Sequence, residues 1–207
     1  MTSELQRQFA QMNAVIQKIY VQKDYDHYRR LASRPYFPLS DEIVEFAREN
    51  DVQIEALHEI NSQFLYPASE WTFTFPEVRV GECPTSFSTY FAVSKICDVF
   101  FIQHFFQLQD VSPQSPITTS YLDGTGHSDQ PITYLQYELE HRLEDQMEKN
   151  RFFHLTVQES RFVVSGLRDE QLAEYFSAGY FSKDTPKEYL QVDYFRLLFR
   201  DTARLLN

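Results

Sequence analysis

The stretch Asp98–Leu108, DVFFIQHFFQL, decides how this chain is read. It is a nearly continuous run of aromatic and β-branched residues, the composition of a strand buried on both faces. Such a strand should lie centrally in a sheet and be covered by helices on at least one side. Upstream, WTFTFPEVRV (71–80) and SFSTYFAV (86–93) alternate apolar and polar residues with the period of two expected of half-buried strands. An antiparallel meander is therefore predicted from about 71 to 109.

The texture on either side is helical. Leu5, Phe9, Met12, Ile16 and Ile19 recur every three to four residues, and Ser3 with Gln6 suits a capping box. That first helix is expected to run on to about Leu31 and to stop at Pro35 and Pro38. Ser40 opens a second helix, with Asp41 and Glu42 at its positive end. A third helix is expected over Gln53–Leu65. After the meander, residues 111–131 are rich in Pro, Ser, Thr, Gly and Asp and read as one long loop. A charged helix should follow from Thr133 to Lys149, with Leu135, Leu139, Leu143 and Met147 as its buried row. Residues 152–166 fit either a short helix capped by Thr156 and Glu159 or a hairpin, and the helix is preferred. A terminal helix is expected after Pro186, carried by Leu190, Tyr194, Leu197 and Leu198.

The predicted fold class is thus α+β in one domain, 1–207. Its helical N-terminal part spans 1–66, the sheet 67–110, the loop 111–131 and a mainly helical C-terminal part 132–207. A chain of this length buries a substantial core without disulfides. Its two cysteines, Cys83 and Cys97, point to a reducing compartment. The N-terminus lacks the pattern of a secretory signal, and Lys95, Asp98, Gln103 and His104 interrupt the most apolar segment. The expectation is a cytoplasmic protein with no membrane span.

Charge narrows the partners. Thirty acids against 19 bases give a net charge of −11, which repels a phosphate backbone, so no nucleic-acid partner is expected. The excess is concentrated: Asp41, Glu42, Glu45, Glu49, Asp51, Glu55 and Glu59 stand against Arg48 alone in one short segment. A solvated helical face accounts for such clustering. The functional reading is a docking surface for a basic protein, formed by Asp41, Glu42, Glu45, Glu49 and Asp51.

Several motifs invite chemistry. Glu55/His58 and Glu138/His141 have the Glu-x-x-His spacing with which helices of di-iron bundles ligate metal. On helical wheels of about 100° per residue both pairs lie away from the buried rows, so no metal or other cofactor is expected. Cys97 and His104 are a thiol and an imidazole seven apart, which oppose each other on a strand rather than converge. The loop YLDGTGHSD gathers Asp123, His127 and Asp129 but lacks the residues of phosphate or calcium loops.

The leading expectation is a non-enzymatic acidic protein that binds another protein, as an inhibitor or immunity protein neutralises a basic enzyme. The alternative is a small-ligand or hydrolytic site near Asp123, His127 and Asp129. A third reading is a homo-oligomer joined through the tyrosine- and phenylalanine-rich C-terminal region.

Overall fold

The computed structural model describes residues 3–57, 66–80, 83–108, 127–168 and 191–200. Helices stand at both ends of the chain, and a mostly antiparallel sheet lies between them in the α+β manner. The chain starts with α1 (Ser3–Ile16), which widens into a π-helical turn over Gln17–Val21. It does not continue to Leu31. Lys23 takes a left-handed φ of 56°, and Asp24 then caps a new helix, α2 (Tyr25–Ala32), by accepting from the His27 amide at 2.9 Å. Helix α3 (Asp41–Glu49) begins after Ser40 as expected. It ends at Glu49, and Asp51, with a left-handed φ of 54°, stands in the turn that follows.

The predicted third helix is replaced by strand β1 (Gln53–Leu57), antiparallel to β2 (Ala68–Thr74). The reason is visible in VQIEA, where Val52, Ile54 and Ala56 pack against the α3 cluster while Gln53 and Glu55 face solvent. Period two won over the helical spacing because β2 offers a backbone partner. Residues 58–65 lie outside the described residues, His58 and Glu59 among them.

The meander continues through β3 (Val78–Val80), β4 (Cys83–Ser94) and β5 (Val99–Leu108). Strand order is β1-β2-β4-β5-β6, with β3 paired to β4. The central strand is therefore β4, and β5 stands one place from the edge. Among the described residues its outer side carries β6 (His127–Ser128) and the parallel β7 (Phe153–His154). Burial on both faces was legible in β5, but centrality depends on partners that hydrophobicity does not reveal. β6 also shows that the predicted loop to residue 131 closes onto the sheet at residues 127–128; residues 109–126 lie outside the described residues.

Alternation along β4 and β5 sorts two cores. Tyr90, Ala92, Val99 and Phe101 face a layer made by α1, the π turn, α2 and the C-terminal elements. Phe87, Phe91, Val93, Phe100, Ile102 and Phe106 face α3 and α4 (Tyr134–Lys149). The row Leu139, Leu143 and Met147 of α4 is fully buried there.

The ambiguous segment keeps something of both readings. Thr156 and Glu159 do form a capping box, yet α5 (Val157–Ser160) is a single turn, and β8 (Val163–Arg168) follows it. β8 pairs with β9 (Gln191–Asp193) rather than with HLTV. The terminal helix is short: α6 (Tyr194–Phe199) is capped by Asp193, and residues 186–190 lie outside the described residues. The two ends of the chain are tied together where the Tyr20 hydroxyl donates to the Leu197 carbonyl at 2.8 Å.

Candidate functional site

Helices α3 and α4 lie side by side over one face of the sheet, although about a hundred positions separate them in sequence. Arg142 fixes the pair. Its Nη1 meets Glu42 Oε1 at 2.8 Å, its Nη2 lies 3.7 Å from Glu138, and its guanidinium covers the Phe46 ring at 5.0 Å. Gln146 adds a second tie, donating to the Pro38 carbonyl at 2.8 Å and accepting from the Ser40 amide at 3.1 Å.

This arrangement joins two acidic elements. On α3, Asp41, Glu42, Glu45 and Glu49 outnumber Arg48; on α4, Glu138, Glu140, Glu144, Asp145 and Glu148 outnumber Arg142 and Lys149. Each helix thus carries a net charge of −3, and together they hold over half of the chain's −11. The opposite layer has the other sign: over residues 3–34, Arg7, Lys18, Lys23, Arg29, Arg30 and Arg34 exceed Glu4, Asp24 and Asp26, a net of +3. Charge is divided across the sheet.

Asp41, Glu42, Glu45, Glu49 and Asp51 are all exposed. Only Glu42 and Glu45 among them are in ion pairs within the described residues, Glu45 with Arg48 at 3.0 Å. Exposed apolar side chains sit on the same two helices: Tyr134 is 72% exposed, Tyr137 57% and Val44 48%. The sequence reading missed these three.

The other expected sites fare differently. Glu55 is exposed on β1, His141 is exposed on α4, and Glu138 is engaged by Arg142. Among the described residues no three His, Cys, Asp or Glu side chains gather into a metal-binding group. Asp123 lies outside the described residues, the His127 backbone belongs to β6, and Asp129 is exposed. Cys97 lies in the β4–β5 turn facing the α1–α2 layer, whereas His104 faces α4. Burial pushes the Cys97 thiol up to about 12, assisted by Asp98. A thiol so placed is a poor nucleophile. At about pH 8, iodoacetamide is expected to leave Cys97 unmodified in the folded protein and to alkylate it in denaturant, read by peptide mass spectrometry. Fast alkylation in the folded state would contradict this burial.

His104 takes part in a buried polar series not legible in the sequence. Thr89 Oγ1 lies 3.0 Å from its Nδ1, and its Nε2 stands 3.5 Å from Glu140 Oε2 without forming a hydrogen bond. Hydroxyl, imidazole and carboxylate follow the order of a nucleophilic series. Thr89 and His104 are both 0% exposed, however, so the hydroxyl has no access to a substrate.

On the other face, the buried Glu70 accepts from the Tyr90 hydroxyl at 2.8 Å, with Arg200 Nη1 at 3.5 Å. Burial, with Glu70 beside it, raises the Tyr90 phenol well above its ordinary range. Tyr36 closes the β1–β2 ladder next to it: its hydroxyl accepts from the Glu70 amide at 2.8 Å and donates to the Glu70 carbonyl.

One cavity of about 880 Å³ opens between α1, α2, the β4–β5 turn and the C-terminal end of α4. Glu144 enters it and contacts His154 Nδ1 at 3.1 Å; that bond holds the Glu144 carboxyl below its ordinary value against the opposing effect of burial. The His154 ring is stacked on Phe100 at 4.7 Å. The Cys97 thiol of this cavity stays protonated, and His27 and His154 also line it.

No family model matches the chain, and neither a curated protein nor a solved structure matches it. Among the described residues no helix is long and apolar enough to cross a membrane.

Proposed function

We propose that this is a non-enzymatic cytoplasmic protein whose outer α3–α4 face docks a basic protein partner, as an inhibitor or immunity protein does. The observation that carries the reading is the joining of two acid-rich helices into one surface by Arg142, over a sheet filled by side chains. Tyr134, Tyr137 and Val44 supply exposed apolar contacts within that field. Interface centres are rich in such aromatic side chains, while surrounding charge governs approach and orientation. The complementary partner presents an apolar patch ringed by Lys and Arg.

The experiment is capture at low salt from the native host, followed by binding kinetics with the recovered protein. Glu49→Lys and Asp26→Lys change the net charge equally, but on opposite layers. Glu49→Lys is expected to slow association by several-fold, on the order of tenfold when combined with Glu45→Lys, with the effect shrinking as salt is raised. Asp26→Lys should not slow it specifically. All these side chains are exposed, so the thermal transition of the free protein should hardly move. Equal slowing on both layers, or capture of no basic protein by the unaltered chain, overturns the reading.

A further inference from the structure

The α1–α2 layer carries an exposed apolar patch of its own. Val21 closes the π turn and Tyr25 opens α2, and both side chains are exposed. Bases stand around them: Lys18 on the π turn, Lys23 at its left-handed φ of 56°, and Arg29 and Arg30 toward the end of α2. Arg29 covers the Tyr25 ring at 5.9 Å, one turn along the helix, so base and ring share a face. Two acids interrupt the patch. Asp24 is half-buried, caps α2 and lies 3.9 Å from Lys18, while Asp26 is exposed. Four bases against two acids leave residues 18–30 at +2.

An apolar patch ringed by Lys and Arg is the complement of the α3–α4 face, where Tyr134, Tyr137 and Val44 stand in a field of −6. The chain thus presents both halves of one contact. They lie on opposite layers of the sheet, one over the side of Tyr90 and Phe101 and the other over the side of Phe91 and Phe100, so a single molecule cannot close them on itself.

We propose that the basic patch around Val21 and Tyr25 docks on the α3–α4 face of a second copy, giving head-to-tail self-association. The contact is heterologous: every added copy leaves one open face of each kind, so growth does not stop at two. Self-contact rests on the docking reading of the α3–α4 face and adds a consequence, that a basic partner displaces a neighbouring copy to reach it. Each copy carries −11 overall, which opposes the contact at low salt. At about 0.1 M salt the screening length of about 10 Å confines the interaction to the facing layers, and association is strongest there; toward 1 M salt, with about 3 Å, the attraction itself is lost.

Sedimentation equilibrium of the purified full chain tests this contact. At about 0.1 M salt the average mass should rise with concentration past two copies, and it should fall back near 1 M. Glu45→Lys with Glu49→Lys disables the acidic face, and Lys23→Glu with Arg29→Glu the basic one. Each pair of changes should weaken self-association by about tenfold or more. All four side chains are exposed, so an unchanged thermal transition verifies folding. An equal mixture of the two variants should give a one-to-one dimer and nothing larger, because one intact face of each kind remains. Asp26→Lys, which removes the exposed acid of the basic patch, should tighten association several-fold. A monomer at every concentration, a mass that stops at two in the unaltered chain, loss with only one of the two variants, or a mixture that stays monomeric overturns the proposal. A monomeric chain that still binds a captured basic protein at α3–α4 loses the self-contact alone, whereas a chain that self-associates in this way but captures no basic protein keeps it and loses the inhibitor reading.

Discussion

Phe101→Ala is expected to lower the stability of the protein by about 3 to 5 kcal/mol, a large share of the roughly 5 to 15 kcal/mol that holds a domain folded. The ring is 2% exposed on β5 and faces the layer that unites the two ends of the chain. It lies 4.9 Å from Phe195, 5.9 Å from Phe199 and 6.1 Å from Tyr90, centroid to centroid. Removing it loses the transfer energy of a buried aromatic and leaves a cavity that the pleated backbone cannot close. Phe105, on the same face of the strand, is only half-buried, so its truncation should cost less than half as much. Denaturant midpoints at constant slope would measure both. Equal midpoints for Phe101→Ala and the parent would show that the terminal helices do not rest on this strand.

Gln136→Ala is the second large effect, at about 2 to 3 kcal/mol, because one side chain satisfies groups on two elements. Gln136 is 0% exposed although it is polar. Its Oε1 accepts from the amides of Ile132 at 3.0 Å and Thr133 at 3.1 Å, completing the capping box that opens α4. Its Nε2 donates to the Ser88 carbonyl of β4 at 3.0 Å. Alanine leaves that carbonyl without its donor beneath α4 and removes half of the cap. Gln136→Glu separates the two roles, since it keeps the acceptor for the helix amides but offers the Ser88 carbonyl a negative charge when ionised. The glutamate variant should therefore be more stable at low pH relative to Gln136 than at neutral pH. A change within about 0.5 kcal/mol for the alanine variant would mean that α4 is seated by its leucine row alone.

What the sequence disclosed follows the reach of the interactions involved. Period-two alternation in WTFTF and SFSTYFAV records which face of a strand is buried, and the meander formed where that pattern stood. The capping box at Thr156 is local and formed as spelled, whereas the one that Thr133 makes with Gln136 was not read from the sequence. VQIEALHEI carries both periods, and the non-local partner β2 selects the strand over Gln53–Leu57, where the helical reading failed. The break at Lys23 depends on a single left-handed residue that no glycine announces.

The same limit applies to the candidate sites. The acids of α3 were countable, but their continuation onto α4 rests on Arg142 meeting Glu42 across the fold. Nothing in the spacing of Thr89, His104 and Glu140 marks a series, because strand register and helix packing bring them together. The cavity draws on α1, α2, the β4–β5 turn and the end of α4, so no contiguous motif could betray it.

Hydrogen–deuterium exchange of the complex with the captured basic partner tests the docking assignment most directly. Binding at the α3–α4 face should protect exchangeable amides in residues 41–51 and 134–148, and leave those of residues 3–34 near their free rates. That pattern should vanish with Glu45→Lys and Glu49→Lys at matched partner concentration. Protection confined to residues 3–34, or to the C-terminal segment around α6, with no change over α3 and α4, would contradict it.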